Sequence, residues 1–587
     1  MNRHALHHRS KSEYAYAFDN ETIHITFRSA RNDLKKVDII YGDPFDWRNN
    51  EWNKFQKQMN KRYQTELFDY YFVEIKPQDL RVKYAFILTD INDNKYIFGS
   101  KVLNPYEDKY ILDLPNYFNY PYLNFEDLAN TPKWVGETIW YQIFPDRFYT
   151  ENPKLPWGTL PVNNNQIFGG NLNGIRKKLP YLHDLGITGI YFTPIFEAKT
   201  AHKYDTINYF KIDPSFGTNE DFKKLVEEAH NLNIKVMLDG VFNHSGFLHP
   251  FFQDVVKNGE NSIYKNSFHI DKFPAVNFEL TEDGQPAKHT THNLNFKTFA
   301  YTPHMPKWNT DDPLTKKHLL DVITYWIKEY NIDGWRLDVS NEISHDFLRE
   351  IRKTALKANP DTFILGENWD QSLPWLMGDQ VDSVMNYDLT FPIWNYFDTK
   401  IDLETFISVI NTYLALTPKN VMRNMFNLID SHDTDRILGR FNDNKTNRAK
   451  LAYLFMFLSK GAPNIYYGGE VGLDGGHDPD NRRCMIWDED KQDLDMFNFI
   501  KKLIELRKTY KSFATSDYNF LSKDILAFTK SLDDELILAV LNNNNDNKTF
   551  VLPNNLKGEY LNLFTNETSY YDEITLSKYN HILLLKV

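Results

Sequence analysis

Eight short apolar runs separated by helical patterns, with β-rich text on either side, predict an α/β protein. The architecture they imply is a (β/α)₈ TIM barrel with an inserted subdomain, an N-terminal β-sandwich and a C-terminal all-β domain. Length agrees, since 587 residues exceed what one ordinary core holds.

Residues 1–125 supply the sandwich. Thr22–Phe27 alternates polar and apolar side chains, as a half-buried strand does, and Lys36–Tyr41, Tyr70–Ile75 and Tyr84–Leu88 read similarly. Gly42-Asp43-Pro44 punctuates them as a turn. Pro115–Pro132, with its prolines and mixed aromatics, reads as a linker.

The barrel follows within residues 126–505. Its strand candidates are Ile139–Phe144, Ile187–Phe192, Ile234–Val241, Ile332–Asp338, Thr362–Leu365, Val381–Met385, Met425–Ile429 and Asn464–Tyr467. Phe222–Asn231 and Lys316–Tyr330 are amphipathic helices between them. The gap between the third and fourth runs is too long for a bare loop, so residues 243–310 are assigned to the subdomain. It contains the turn-rich text Glu282-Asp283-Gly284-Gln285-Pro286. Strands return in residues 506–587 at Ile525–Phe528, Leu536–Leu541, Phe550–Leu552 and Ile582–Leu585, with Asn542–Asn547 as a polar hairpin tip.

Composition narrows the partners. Hydrophobic residues at 42% and charged ones at 25% are ordinary for a globular protein. A net charge of −12 argues against nucleic acid or an anionic membrane as partner. The single cysteine, Cys484, excludes an internal disulfide and fits a reducing compartment. The His- and Arg-rich start lacks an apolar signal region, and no run approaches about 18 apolar residues, so neither export nor a membrane span is expected. A cytoplasmic location follows as the expectation. Aromatics reach 15%, which serves either core packing or stacking on flat ligands.

Chemistry in such a barrel collects at the C-terminal ends of the strands. The third run ends in Asp239-Gly240-Val241-Phe242-Asn243-His244, the fifth in Gly366-Glu367-Asn368-Trp369 and the seventh in Asp430-Ser431-His432-Asp433. The fourth carries Arg336 and Asp338, and the second is followed by His202-Lys203-Tyr204-Asp205. Strand residues alternate faces, so Arg336 and Asp338 point the same way, and a guanidinium stabilises an ionised carboxylate. Taken alone, that pair could be a structural salt bridge. Carboxylates or histidines at five of eight strand ends weaken that alternative.

These ordered blocks resemble the signature regions of the α-amylase family of glycoside hydrolases, family 13. Met305-Pro306-Lys307-Trp308-Asn309 and Val339-Ser340-Asn341-Glu342 resemble the branch that contains cyclomaltodextrinases, neopullulanases and maltogenic amylases. Tyr14-Ala15-Tyr16-Ala17, Tyr41–Trp47, Trp140–Phe148 and Asp478–Arg482 extend the likeness over nearly the whole chain.

The resemblance implies Asp338 as nucleophile, Glu367 as acid/base and Asp433 as the third carboxylate, gripping hydroxyls of the distorted sugar. His244 and His432 would donate hydrogen bonds to it, His202 would complete the site, and Tyr204 would stack on the ring. Arg336 would help hold Asp338 ionised while Glu367 keeps its proton, and Asp239 would support Arg336. Glu342, Trp369, Asp478 and Arg482 would line neighbouring subsites. Retention needs carboxyl groups about 5–5.5 Å apart, and neighbouring strands sit about 4.8 Å apart.

Two departures stand out. Calcium-holding members of the branch have an Asn/Asp-rich loop after the first strand and an Asp in a Gly-Gly-Asp motif. Here the text is Tyr149–Pro156 and Gly169-Gly170-Asn171, so calcium is expected to be absent or very weak. No other metal or cofactor is expected. Trp308 stands where the branch more often has a smaller apolar residue, and either reshapes an acceptor contact or packs.

The implied activity is hydrolysis of α-1,4 bonds in cyclodextrins, maltooligosaccharides and pullulan, with retention and some transglycosylation. A homodimer through the N-terminal domain is implied as well. Three other readings compete. An α-1,6-acting debranching enzyme or oligo-glucosidase would release maltotriose rather than panose from pullulan. A non-catalytic glucan-binding or transporter-subunit relative would lack the carboxylates present here. The N-terminal module could also act as an independent starch binder, which sedimentation of residues 1–125 with insoluble starch would reveal.

Overall fold

The computed structural model describes residues 1–125, 128–369, 371–515 and 517–587. Glu126 and Asp127 of the expected linker lie outside the described residues. The chain forms two compact units. One joins Met1–Asn130 to Leu373–Asp379 and Thr399–Arg423, and the other comprises Thr131–Ser372, Gln380–Asp398 and Asn424–Val587.

In the first unit, two antiparallel sheets face each other. One has the order Ala15–Ala17, Ile23–Ala30, Phe68–Ile75, Asn60–Gln64; the other is centred on Leu34–Gly42 and Val82–Asp90. Ile23, Ile25 and Phe27 meet Val37, Ile39, Phe86 and Leu88 in the core between them. Strand Ile23–Ala30 departs from the half-buried expectation, because His24 and Thr26 on its polar face are buried too. His24 stacks on Phe18 at 4.3 Å and bonds the Tyr16 hydroxyl at 3.1 Å. That hydroxyl accepts from the backbone N–H of Lys419, in the short helix Lys419–Met422. Periodicity shows that a face needs cover; it does not show that the cover lies some four hundred residues away.

In the second unit, each of the eight apolar runs yields one barrel strand: β1 Trp140–Ile143, β2 Gly189–Phe192, β3 Lys235–Gly240, β4 Gly334–Leu337, β5 Phe363–Gly366, β6 Ser383–Val384, β7 Phe426–Asn427 and β8 Ala462–Tyr466. All neighbours are parallel, in the order β6-β5-β4-β3-β2-β1-β8-β7, and a parallel bridge from Met385 to Phe426 joins the two ends. Helix Asn219–Asn231 starts at a capping box, in which Thr218 accepts from the Asp221 N–H and the Asp221 side chain accepts from the Thr218 N–H. Its buried face is Phe222, Leu225, Val226 and Ala229; full burial of a ring such as Phe222 contributes about 2–3 kcal/mol. Helix Pro313–Tyr330 is capped by Asp312 and stopped by Asn331 in the left-handed conformation.

Between β3 and this helix, the inserted segment folds around Phe252, Phe268, Phe296 and Trp308, held by isolated bridges rather than long strands. Trp308 packs: it is buried, stacks on Phe268 at 4.4 Å and donates its indole N–H to the Tyr209 hydroxyl at 3.2 Å. The predicted turn closes with the Thr281 N–H on the Gln285 carbonyl, and Gly284 takes a φ of +76° there.

The C-terminal strands form a six-stranded antiparallel sheet with a separate two-stranded ladder, packed around Leu538, Val540, Tyr560 and Leu584. The polar tip at Asn542–Asn547 differs from its expected exposure. Asn542 and Asn543 are buried, with Asn542 donating to the Asp546 and Ser577 carbonyls and Asn543 to the Tyr396 carbonyl. Asparagine earns a buried place where backbone acceptors converge on it. No helix among the described residues is long and apolar enough to cross a membrane.

Candidate active site

The C-terminal ends of the barrel strands converge on Arg336. This side chain is fully buried on β4. Its Nη1 lies 2.9 and 3.0 Å from the two Asp239 oxygens and 2.8 Å from Asp338 Oδ1. Its Nη2 lies 2.7 Å from Glu367 Oε2 and 3.9 Å from Asp433 Oδ2. The register explains the meeting of Asp338 and Glu367: Leu337 pairs with Gly366, so the next residue of each strand leaves the sheet at one level.

Arg336 thus reaches four carboxylates, of which Asp433 also meets Arg482 at 3.5 Å. Burial, together with the neighbouring Glu367, Asp239 and Asp433, pushes Asp338 well above the usual carboxylate range, while Arg336 opposes the rise. Asp239 is pushed up to about 6, by burial first, against the pull of Arg336 and Tyr191. A buried cluster with this charge deficit retains protons that belong to the group rather than to one member. The guanidinium does not choose between the two carboxylates: its Nη1 donates to Asp338 at 2.8 Å and its Nη2 forms an ion pair with Glu367 at 2.7 Å. Glu367 also accepts from the Val339 N–H at 2.9 Å and from the Trp369 indole at 3.2 Å. Asp239 does support Arg336, and the Tyr191 hydroxyl steadies it at 2.6 Å.

A second chain of hydrogen bonds runs through His432. The amide nitrogen of Gln142, on β1, lies 2.6 Å from His432 Nδ1. An amide nitrogen only donates, so Nδ1 accepts and the imidazole carries its proton on Nε2. That N–H faces Asp433 Oδ2 at 3.1 Å and the Tyr204 oxygen. Tyr204 in turn donates to Asp239 Oδ2 at 3.1 Å. Burial, with Arg336 and Arg482 adding to it, holds His432 well below the ordinary imidazole range. Tyr204 lies parallel to the His432 ring at 5.6 Å, and its backbone N–H bonds His202 Nδ1.

Around this centre stand the remaining predicted residues. His244 stacks on Phe299 at 5.2 Å, and its buried Nε2 has no partner among the described residues. Burial, then the charge of Lys307, holds its pKa at about 3. Arg482 joins Asp478 at 3.0 Å to Asp433 at 3.5 Å. Trp369 is 37% exposed and stacks on Tyr387 at 4.1 Å. Glu342 sits on the short 3-10 turn Ser340–Glu342, just after Val339.

Sequence reading did not single out Gln142, Tyr191, Asn243, Lys307 or the backbone of Val339. Gln142 and Tyr191 lie on β1 and β2, inside runs scored for their apolar neighbours. Val339 has a φ of +46°, a left-handed conformation uncommon for a β-branched residue; no residue pattern announces it.

Two segments bear on calcium, Tyr149–Pro156 and Gly169–Asn171. Asn171 Oδ1 accepts from the Gly174 N–H, capping helix Leu172–Lys177, and its Nδ2 donates to Thr150 Oγ1 and the Gly169 carbonyl. The Lys177 ammonium lies 2.5 Å from Glu151. An amide donor at Asn171 and an ammonium paired with Glu151 do not fit an ion that takes six to eight oxygens.

Known proteins align with this geometry. Residues 142–533 match the α-amylase catalytic domain and residues 1–124 the α-amylase N-terminal Ig-like domain. A cyclomaltodextrinase of Geobacillus thermopakistaniensis is 42% identical over 580 residues, covering 97% of this chain and 96% of its own. An intracellular maltogenic amylase of Bacillus subtilis is 43% identical over 554 residues, covering 92% and 91%. Among solved structures, a cyclomaltodextrinase superposes with a TM-score of 0.91 at 40% identity and covers 100% of both chains. The chain belongs to the α-amylase family of glycoside hydrolases, in the branch of the cyclomaltodextrinases and maltogenic amylases.

Proposed function

We propose that this enzyme cleaves α-1,4-glucosidic bonds of cyclodextrins, maltooligosaccharides and pullulan with retention, and transfers part of the glycosyl product to sugar acceptors. The observation that carries the reading is the pairing of Asp338 and Glu367 at the ends of neighbouring strands, in register and bridged by Arg336. In this reading Glu367 protonates the glycosidic oxygen as Asp338 attacks the anomeric carbon. The C–O bond to the leaving sugar breaks and a glycosyl ester forms. Glu367 then takes a proton from water, whose oxygen displaces Asp338. Asp433 and the Nε2–H of His432 grip ring hydroxyls, His244 and His202 complete the pocket, and Tyr204 stacks on the sugar. Trp369, Glu342, Asp478 and Arg482 bind the adjoining glucose units. The chemistry is complete without a cofactor, and the enzyme works without calcium. The relatives' names, cyclomaltodextrinase and maltogenic amylase, support short or cyclic glucans as substrates.

The product profile on β-cyclodextrin, pullulan and starch tests this reading, with Asp338→Asn as control. Maltose from cyclodextrin and panose from pullulan are expected, and loss of activity in the variant by at least about 10³-fold. Maltotriose from pullulan, or a variant of near-normal activity, would refute it.

The assembly belongs to the proposal as well. Phe45, Trp47 and Phe55 are 77%, 46% and 50% exposed in the first unit, an apolar surface that supports self-association into a homodimer. Sedimentation of the protein and of Phe45→Ser/Trp47→Ser tests it: a dimer that dissociates in the variant is expected, and a monomeric parent overturns it. A cytoplasmic location is supported by the relative named as intracellular.

A further inference from the structure

Lys203 stands between His202 and Tyr204, on the loop that joins the paired strands Phe196–Ala198 and Thr206–Ile212 just after β2. The rings of its two neighbours lie 5.7 Å apart, whereas its own ammonium turns to the foot of this hairpin. Two features make the lysine costly. Its backbone has a φ of +65°, in the left-handed region, and its side chain is 3% exposed. Three groups receive the ammonium. Asp213 Oδ2 lies at 2.9 Å, the Ala198 carbonyl accepts at 3.4 Å and the centre of the Phe216 ring lies at 5.3 Å. Asp213 is itself pinned. It accepts from the Ala198 and Ser215 N–H groups and from the Ser215 hydroxyl, and its own N–H donates to the Ile195 carbonyl.

A different carboxylate closes the loop on itself. Asp205 accepts from the N–H groups of Lys199 and Thr200 and from the Thr200 hydroxyl, all within the loop. Lys203 ties that closed loop to the foot of the hairpin, and the tie has two side chains to aim. The Tyr204 N–H donates to His202 Nδ1 at 3.1 Å, so the neutral imidazole carries its proton on Nε2. The Tyr204 hydroxyl donates to Asp239 Oδ2 at 3.1 Å. We infer that Lys203 is a positioning residue: its tie to Asp213 aims the His202 Nε2–H and the Tyr204 ring at the glucose unit being cleaved. This rests on the reading of those two side chains as sugar contacts. A buried ion pair stabilises a fold no better than packed apolar residues do, and a left-handed lysine strains it. Holding a site in place accounts for both.

The test measures kcat and KM on β-cyclodextrin, with thermal midpoints alongside, for the full-length enzyme and four variants: Lys203→Met, Lys203→Gly, Asp213→Asn and the double variant Lys203→Met/Asp213→Asn. A misplacement of about 1 Å costs of order 100-fold, so kcat falls about 10- to 100-fold in Lys203→Met and in Asp213→Asn. KM stays within about threefold, because the neighbouring glucose units are bound by other side chains. Both substitutions cut one tie, so the double variant falls no further than the less active single variant. Lys203→Gly suits the left-handed backbone and covers the case in which the methionine variant folds poorly; without the ammonium its kcat also falls. Native kcat in either Lys203 variant, even beside a lowered midpoint, overturns the positioning role, as do multiplicative losses in the double variant. His202→Ala and Tyr204→Ala separate the two failures. Native kcat in both overturns their reading as sugar contacts and the inference with it; lowered kcat there beside native kcat in the Lys203 variants overturns the inference alone.

Discussion

Replacing Gln142 by glutamate reverses a proton assignment without changing the shape of the side chain. In the native site the amide donates to His432 Nδ1, and the imidazole presents Nε2–H to Asp433 and the sugar. A carboxylate at the same place accepts instead. The neutral imidazole then carries its proton on Nδ1, and Nε2 turns a lone pair toward Asp433. Both Gln142 and His432 are fully buried, so water does not substitute for the lost donor. A hydrogen bond to a charged group is worth about 1.5–3 kcal/mol, which predicts a loss of about 10- to 150-fold in kcat/KM.

The loss depends on pH in a defined direction. The new carboxylate favours imidazolium and raises the pKa of His432 from its depressed value. Below the new pKa both ring nitrogens donate and activity survives; above it the Nε2 proton is gone. The variant therefore gains a descending limb of kcat/KM with rising pH, which the native enzyme, neutral at His432, does not owe to this residue. The assay is hydrolysis of β-cyclodextrin from about pH 5 to 8, with Gln142→Leu as the variant that loses the donor and gains no charge. If Gln142→Glu kept kcat/KM within about twofold of native and showed no alkaline limb, the tautomer assignment would be wrong.

Two further outcomes are expected. Chelation with EDTA leaves the midpoint of thermal unfolding unchanged, and metal analysis of purified enzyme finds calcium well below one per chain; a calcium-dependent rise in the midpoint would contradict the mismatch at Asn171 and Lys177. His8 is buried with a pKa lowered to about 3, by burial first, and bonds the Thr26 carbonyl and the Tyr84 hydroxyl. Its neutral form therefore contributes stability that is full above the unfolded value of 6.5 and falls as pH drops, by about 2 kcal/mol at pH 5. His8→Phe should be less stable than native at pH 7 yet lose less between pH 7 and 5 in urea titrations; equal losses would exclude His8 as a source of the acid slope.

What the sequence made legible follows a physical line. Eight apolar runs named eight strands because a parallel sheet covered on both faces has to be apolar throughout. Asp338, Glu367 and Asp433 were legible because polar residues at the ends of such runs stand out against that background. Gln142 was not, since it lies 290 positions from the His432 that gives it meaning. Lys307 is ordinary as a surface lysine, and only the fold brings Glu342 to its ammonium. The helices Leu403–Leu416 and Lys419–Met422 were read as part of the barrel by position in the chain, yet they cluster with the N-terminal sheets, where Asn411 donates to the Gln64 carbonyl. An amphipathic face states that something must cover it; its partner is a tertiary fact.

The centre of the site violates local rules in a common direction. Asp239, Asp338 and Glu367 are buried around one guanidinium, and Asp433, 27% exposed, shares Arg482 with Asp478, so the cluster holds more carboxylates than cations before any substrate enters. Val339 holds a left-handed backbone, which costs of order 1–3 kcal/mol, and its N–H bonds Glu367 as a result. Neither feature helps folding. Both are intelligible if the proposed reaction passes through an oxocarbenium-like state, because positive charge at the anomeric carbon supplies what the resting cluster lacks. The raised proton affinity of Asp338 is then the ground-state face of the same deficit. A further cation beside Asp338 and Glu367 would relieve the deficit and stabilise the fold, and it would also remove the attraction for the transition state. The rigid barrel around Arg336 is what allows the deficit to persist, with Tyr191 and Asp239 fixing the guanidinium from below while Gln142 and Arg482 fix His432 and Asp433 beside it.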